Sequence, residues 1–564
     1  MTGRAVDLHR RRADPVVGAV FALGLALSLL LALRSQVGGD QLNLLARGWL
    51  LLARGEWLPY GNPSSSGGAV PGGVTALLVA APMAIWRHHR AAVLGLLLTQ
   101  VLAFALLDRW LREALPRRER RLFALVYWLS PWRLLLSGFL WNPGYLLLLG
   151  AVHAWSAWRQ RERAAVWPSF ALALALGLGF QIHPSVTLLG AATVLLLITG
   201  HMRLHWRAVA AGTVVAVATL VPWVVAVARE PKLLPVSEGF AFRGLVLVFP
   251  LVRGILYWLR HASLELPRAE ARFDFAPELG EAWARPADLF ANGLVSWIGT
   301  LTIVVPLLAN LWLWRRLRRR GLAELIGVGE GKRAWVVGYG RVCFVAALLT
   351  YAAAPTTVMW WQGVSLLHTV LLTLALWAGA IARRRRRRGA VRIAAWSWGT
   401  CAVLIALLLA IGGRRHRCGG EGSIVLPLRG DHPMLHDLRI DDSCPIEIRP
   451  DGWWPDVLPE PHPPSARDAQ PPVRSPAVAG TSASSVPVAS TRPGGAGGMV
   501  PTTGRGGASP GCSFGGAGGG GSCAATSKVP ASPAVSSRSV SVPVTALLKS
   551  RMLPSPSPRV VTKA

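Results

Sequence analysis

Acidic residues are scarce in this chain, which has 28 Asp and Glu against 60 Lys and Arg in 564 residues. The motifs of common soluble enzymes are also missing. We find no P-loop, no dinucleotide fingerprint, no HExxH and no GxSxG between a strand and a helix. No repeat period or long heptad array stands out, which argues against a solenoid or a coiled coil. These absences remove support from nucleotide hydrolysis, hydride transfer, zinc proteolysis and serine hydrolysis.

Apolar sequence, in contrast, is abundant. Hydrophobic residues make up 52% of the chain and the mean hydropathy is +0.40. Soluble domains seldom reach these values, and many runs approach the roughly 20 residues that cross a bilayer. No cleavage site follows the first run, so we interpret it as a retained helix. The long runs are 15–34, 91–112, 121–139, 144–158, 164–181, 184–200, 207–228, 291–314, 334–353, 361–382 and 391–412.

The net charge of +32 comes from short basic blocks between these runs. The blocks are Arg10–Arg12, Arg117–Arg121, Arg159–Arg163, Arg203–Arg207, Arg315–Arg320 and Arg383–Arg388. Basic loops that alternate with apolar runs are typical of a multi-pass membrane protein whose basic loops stay in the cytoplasm. We therefore predict membrane lipids as partners, and no nucleic acid.

One further run, 70–86, decides the topology. If it crossed the membrane, five of the six basic blocks would lie outside, whereas a dipping or surface-lying segment leaves all six inside. We predict an all-α fold of about eleven transmembrane helices, with surface-lying helices in the first outer loop. The N-terminus is then cytoplasmic and the C-terminus extracytoplasmic.

The composition changes after the last run and predicts three regions. Residues 1–412 form the transmembrane domain, and the polar segment 413–460 is expected to form a small extracytoplasmic appendage. Residues 461–564 are rich in Pro, Ser and Gly and are predicted to be disordered. A disulfide between Cys418 and Cys444 would fit an extracytoplasmic appendage, whereas Cys343 and Cys401 lie in apolar runs and are interpreted as core residues.

Asp40 is the first acid after the first apolar run. The stretch that follows is amphipathic, with Asn43, Arg47 and Arg54 on one face, and is predicted to lie in the membrane surface. A carboxylate at that level could accept a proton from an acceptor hydroxyl or coordinate a divalent cation that holds a diphosphate. A plain helix N-cap is the structural alternative.

Three further polar positions accompany short turns between apolar runs. Asn142 precedes Pro143 at a turn, and Gln181 and His183 lie between two runs. An amide or an imidazole there could bind a phosphate or a sugar, or simply shape the turn. Arg133 lies inside an apolar run, where a charged group either faces a polar cavity or extends toward the head groups.

The order of these features resembles the GT-C superfamily of multi-pass glycosyltransferases, in particular bacterial members of the protein mannosyltransferase and aminoarabinose transferase group. The matching stretches lie within residues 15–200. They are "GGDQLNLLARGWLLLARGEWLPYG", "PSSSGGAVPGGVTALLVAAPMAIW", "SPWRLLLSGFLWNPGYLL" and "FQIHPS".

This resemblance implies a glycosyltransferase of the bacterial cytoplasmic membrane. Its donor is a sugar on a polyprenyl phosphate, and its acceptor is a lipid, glycan or protein on the outer face. Asp40 then corresponds to the general base or acceptor-orienting carboxylate. Asn142, Gln181 and His183 become substrate-binding candidates. Arg243 is a candidate for the leaving phosphate, because an arginine binds phosphate in a bidentate manner.

Two alternatives remain open at this point. A transporter or flippase of lipid-linked glycans would share the apolar composition, although no pair of interrupted runs marks internal repeats. An inactive GT-C-like membrane protein would also fit, because Asn142 stands where many members carry a second acid. The sequence does not decide whether a divalent cation takes part.

Overall fold

Proline and short turns divide the chain into more helices than its apolar runs predict. The computed structural model describes residues 14–35, 40–63, 68–138, 140–234, 248–266, 273, 275–320, 331–354, 358–412, 424–426 and 446–448. The Cys418–Cys444 pairing, Arg243, the whole predicted tail 461–564 and the segment 413–460 apart from 424–426 and 446–448 lie outside these ranges. Cys343 is buried and Cys401 half-buried, and both are free thiols.

The first half of the described chain contains ten helices and one hairpin. They are α1 (Pro15–Leu33), α2 (Asp40–Arg54), β1 (Tyr60–Pro63), β2 (Ala69–Pro71), α3 (Val74–Ile85), α4 (His89–Ala114), α5 (Arg117–Trp128), α6 (Pro131–Ser137), α7 (Asn142–Arg159), α8 (Val166–Ile182), α9 (Thr187–Ile198) and α10 (Trp206–Arg229). Strands β1 and β2 pair antiparallel, with Tyr60 opposite Pro71.

The second half continues with helices. They are α11 (Val248–His261), α12 (Ala276–Gly293), α13 (Gly299–Leu301), α14 (Val304–Arg320), α15 (Lys332–Ala352), α16 (Leu367–Ala382) and α17 (Arg388–Gly412). A 3-10 segment, Trp360–Leu366, leads into α16. Two short parallel strands, β3 (Ile424–Leu426) and β4 (Ile446–Ile448), follow.

Seven helical stretches within the described ranges are long and apolar enough to cross a membrane. They are Pro15–Leu33, His89–Ala114, Trp206–Arg229, Leu279–Arg315, Lys332–Ala352, Trp360–Ala382 and Arg385–Gly412. The prediction of a helical fold with many membrane-crossing segments agrees with this, whereas the number eleven stays a prediction. Helix α3, in the ambiguous run 70–86, has 12 residues, or about 18 Å, which is shorter than a bilayer core of roughly 30 Å.

The run 121–139 was expected to form one helix, and the structure divides it. Helix α5 ends at Trp128 and α6 begins at Pro131. Proline has no N–H to continue the helical ladder and disfavours helical geometry at the residue before it. Ser130 accordingly has an extended ψ of 127°. We call residues 128–138 the elbow.

One end of the bundle is closed by ion pairs, and we call it the ion-paired end. The first turn of α5 is its centre. Glu119 is buried between Arg333 and Arg383, at 3.0 and 2.5 Å. Three further pairs, Arg120–Asp108, Arg112–Asp108 and Arg121–Asp14, join α5, α4 and the start of α1.

Candidate functional site

Asp40 begins α2, at the opposite end of the bundle from the ion-paired end. Helix α1 runs from Pro15 beside Asp14 to Leu33, and Asp40 follows shortly after it. The carboxylate is half-buried, and its Oδ2 accepts a hydrogen bond from the indole N–H of Trp141 at 3.0 Å. Trp141 immediately precedes α7. The structure thus brings the start of α2 together with the turn before α7.

The surroundings of Asp40 favour its protonated form. Burial raises the pKa of the carboxyl above its usual range, and the Trp141 hydrogen bond opposes that rise. Helix α2 packs against α3, which has no ionisable side chain, and against β1. A carboxyl with a raised pKa holds an abstracted proton more firmly, as general base catalysis near neutral pH requires.

The β1–β2 hairpin supports the start of α2 from one side. The side-chain amide of Asn62 donates to the backbone carbonyl of Asp40 at 3.1 Å. Further along α2, Arg47 donates to the carbonyl of Tyr60 at 2.8 Å, and its guanidinium lies over the Tyr60 ring at 5.0 Å. Burial lowers the pKa of Arg47 to about 10, so it remains a cation at neutral pH.

Asn43 and Arg47, predicted to share the polar face of a helix at the membrane surface, are not exposed in the structure. Both are buried, with exposed fractions of 4% and 2%. For Arg47 the reason is the hairpin, where the Tyr60 carbonyl accepts a guanidinium N–H and the Tyr60 ring lies under the charge. Of the predicted polar face, Arg54 is exposed, at the end of α2.

A group of tryptophans holds the partner of Asp40 in place. Trp141 packs against Trp360 and Trp361, with ring centroids 5.2 and 5.4 Å apart. Trp360 also contacts Trp132 of α6 at 5.3 Å. The indole that faces Asp40 is therefore held by the 3-10 segment Trp360–Leu366, which packs in turn against α6.

Asn142 lies directly beside this contact, as the first residue of α7. It is buried, and its side-chain oxygen has no hydrogen-bond partner among the described residues. Asn142 thus directly follows in the chain the residue that donates to Asp40. Asn142 supplies no charge there, so Asp40 is not paired with a second carboxylate at this turn.

Gln181 and His183 have structural contacts. The Gln181 amide donates to the Thr219 hydroxyl at 2.6 Å, and its side chain lies where a Cβ of Gly72 would be. Gly72, with φ of +79°, allows the hairpin to approach α8 this closely. His183 caps the following turn, because its Nδ1 accepts the Ser185 N–H at 3.2 Å.

The described residues give no metal site at Asp40. No group of three His, Cys, Asp or Glu side chains within the described ranges is close enough to hold a metal ion. The nearest described partner of the carboxylate is an N–H donor, which cannot ligate a cation. A single carboxylate can still contribute to binding a cation that is held mainly by a diphosphate.

Sequence reasoning missed Trp141 as part of the site. A tryptophan in such a chain is usually an interfacial anchor, and its partner lies 101 residues earlier. The available signal was its place beside Asn142 in "LWNPGY", at a turn already considered functional.

Comparisons with known proteins found a similar solved structure but no matching family model or curated protein. Among solved structures, the crystal structure of ArnT from Cupriavidus metallidurans bound to undecaprenyl phosphate is similar. It shares 18% sequence identity, with a TM-score of 0.33, over 66% of this chain and 81% of that chain.

Proposed function

We propose that the chain is a membrane glycosyltransferase of the GT-C type, which moves a sugar from a polyprenyl-phosphate donor to an acceptor outside the cytoplasmic membrane. The observation that carries this proposal is the half-buried Asp40 carboxylate, which is held by the neutral Trp141 indole and has a raised pKa. This is the environment of a proton acceptor, whereas a carboxylate closed into an ion pair would have a lowered pKa.

The proposed reaction uses Asp40 as the general base. An acceptor hydroxyl or amine attacks the anomeric carbon of the donor sugar, and its proton passes to the Asp40 carboxylate. The bond between that carbon and the phosphate oxygen breaks, and the lipid phosphate leaves with the electron pair. Removing the proton in the transition state contributes about 10²- to 10⁴-fold to the rate.

The other candidate residues have binding roles in this proposal. Asn142 contributes an uncharged amide beside Asp40, and Gln181 and His183 shape the neighbouring turn and hairpin. Arg243 is proposed to stabilise the leaving phosphate, because charge that develops on a leaving group is best met by a placed cation. A divalent cation remains an optional component that the assay below can test with a chelator.

The membrane arrangement is part of the same proposal. Eleven transmembrane helices with a cytoplasmic N-terminus place Asp40 outside, where it would meet an extracytoplasmic acceptor. Residues 1–412 then form the catalytic domain, 413–460 an outer appendage and 461–564 a disordered tail. Cysteine labelling at His88 and Arg385 tests this, because the two positions should react from opposite sides.

Substitution of Asp40 by Asn is the direct test of the function. The measurement is transfer of a radiolabelled sugar from a polyprenyl-phosphate donor to acceptors extracted from the cell envelope, with the full chain in proteoliposomes. We expect Asp40→Asn to lose about 10²- to 10⁴-fold in rate. Asp14→Asn is the matched control, because Asp14 is closed into an ion pair with Arg121.

Two outcomes would contradict the proposal. Parental rates in a folded Asp40→Asn variant would remove Asp40 from the chemistry. Movement of the labelled lipid across the membrane without sugar transfer would favour the flippase alternative. In either case the Asp14→Asn control reports whether the protein itself is intact.

A further inference from the structure

Arg133 is a fully buried cation in an apolar part of the chain, with an exposed fraction of 0%. Its guanidinium donates to the Ser28 hydroxyl of α1 at 2.6 Å and to the backbone carbonyl of Trp128. It also lies 4.0 Å from the centre of the Trp128 ring. None of these described contacts is with an acid. Because the side chain is fully buried, the guanidinium does not extend toward the head groups.

The helix break explains why an arginine belongs there. Trp128 is the last residue of α5, and the break before Pro131 leaves the carbonyls of the last turn without their usual helical partners. A carbonyl released in an apolar environment costs several kcal/mol unless a donor reaches it. Arg133 supplies that donor from the next helix, and the Trp128 ring face compensates part of its charge.

The elbow also sits along one face of α1. Phe21, Gly24, Ser28 and Leu31 follow the spacing i, i+3, i+7 and i+10, which places them on one side of a helix. The Trp128 indole N–H donates to the Phe21 carbonyl at 2.9 Å. A Cβ at Gly24 would lie 2.3 Å from the Trp128 ring.

The same face continues toward the site. A Cβ at Gly138, where the elbow ends, would lie 3.6 Å from the Leu31 Cβ. Asp40 follows Leu31 by nine residues, and Trp141 follows Gly138 by three. Two chain segments meet at the Asp40–Trp141 hydrogen bond. They are thus already in contact a few residues earlier, where the elbow packs against α1.

We propose that Arg133 is a positioning residue, which locks the elbow onto α1 through Ser28 and Trp128 and thereby sets the contact between Asp40 and Trp141. Arg133 touches no reacting group itself. The inference rests on the same site as the proposed function, but the test below measures the Asp40 carboxyl directly and needs no sugar transfer.

The experiment titrates Asp40 in the full chain reconstituted in lipid nanodiscs. Infrared spectra recorded against pH follow the carbonyl stretch of the protonated carboxyl, and the difference from Asp40→Asn assigns the band. Trp141→Phe removes the hydrogen bond that favours the carboxylate, so the midpoint should rise by about one pH unit. If Arg133 positions that bond, Arg133→Met should raise the midpoint by a similar amount.

Two comparisons separate positioning from a general loss of stability. In the double variant Arg133→Met/Trp141→Phe, the midpoint should equal that of Trp141→Phe alone, because both changes remove the same bond. Arg120→Met is the matched control, since Arg120 is a comparably buried arginine in the ion-paired end. It should lower the melting temperature and leave the Asp40 midpoint unchanged.

Milder variants keep the test decisive if Arg133→Met does not fold. Ser28→Ala removes one acceptor of the guanidinium, and Arg133→Lys keeps the charge but not the fork that reaches two acceptors. Each should shift the midpoint upward by less than Trp141→Phe does. Unchanged midpoints in both variants, or a shift of Arg133→Met that adds in full to that of Trp141→Phe, would overturn the proposal.

Discussion

Asp14 and Asp40 both lie at the start of a helix, and their surroundings shift their pKa values in opposite directions. Burial raises the pKa of Asp14, but the hydrogen bond and charge of Arg121, together with the Val16 N–H, outweigh this and lower it below its usual value. Burial also raises the pKa of Asp40, and the Trp141 indole is too weak a donor to reverse that effect. The difference lies in the partner, a guanidinium against an indole.

The contrast extends to the two ends of the bundle. At the ion-paired end, acids meet arginines from several helices, and the charges there hold α1, α4, α5 and α15 together. At the Asp40 end, the carboxylate meets an uncharged donor, and Asn142 adds an amide oxygen that has no hydrogen-bond partner within the described ranges. The acids at the first end are thus held in ion pairs, whereas the described hydrogen-bond partner of the Asp40 carboxylate is uncharged.

The largest effect should come from opening the ion-paired end. Glu119→Gln leaves Arg333 and Arg383 facing a neutral amide, and removing one member of a buried pair is costly. We expect the unfolding free energy to fall by about 3 kcal/mol. This is the lower end of the range for buried pairs, because both arginines are partly exposed. Chemical denaturation in detergent measures it, and an unchanged Asp40 titration would show that the two ends are independent.

A smaller effect, on the pH dependence of transfer, should follow from removing the Trp141 hydrogen bond to Asp40. As a base, Asp40 acts only when ionised, so transfer should increase as pH rises through its raised pKa. Trp141→Phe disfavours the ionised form further, and we expect the acid limb of kcat/KM to move up by about one pH unit. A limb that stays in place would mean that Asp40 does not set the pH dependence.

The raised pKa of Asp40 also predicts how the stability of the folded protein depends on pH. Because the folded pKa of Asp40 lies above the unfolded value, the protonated carboxyl stabilises the protein fully below the unfolded pKa. That contribution is lost as pH rises through the folded pKa. Asp40→Asn should remove this dependence, which denaturation at a series of pH values would detect.

The smallest effect should come from the exposed member of the ion-paired end. The Arg112 side chain is 43% exposed and pairs with Asp108, which Arg120 also contacts. Exposed pairs contribute little, so Arg112→Ala should cost less than about 1 kcal/mol. A loss as large as that of Glu119→Gln would break the distinction between buried and exposed pairs at this end.

The sequence predicted the helical membrane architecture because apolar runs and basic blocks are local patterns. It also singled out Asp40, since an acid after a long apolar run is conspicuous in a chain poor in acids. Pro131 was visible inside the run 121–139, yet run length outweighed it, and the break at the elbow was missed.

The contacts that define the site could not be predicted in the same way. The hydrogen bond from Trp141 to Asp40 and that from Arg133 to Ser28 each join residues more than 100 positions apart. The burial of Arg47 on α2 could not be predicted for a related reason, because Arg47 contacts Tyr60 in a hairpin that a helical pattern does not reveal. Periodicity reports which face of a helix is polar, but not what covers it.

The bond between Asp40 and Trp141 also has a consequence for biosynthesis. Asp40 emerges from the ribosome and reaches the membrane boundary 101 residues before its partner is made. Until α7 packs against the earlier helices, the Asp40 carboxylate lacks the indole that holds it in the folded protein. Under the proposed function, the general base would therefore be complete only once these later helices are in place, so catalytic competence would appear late in assembly.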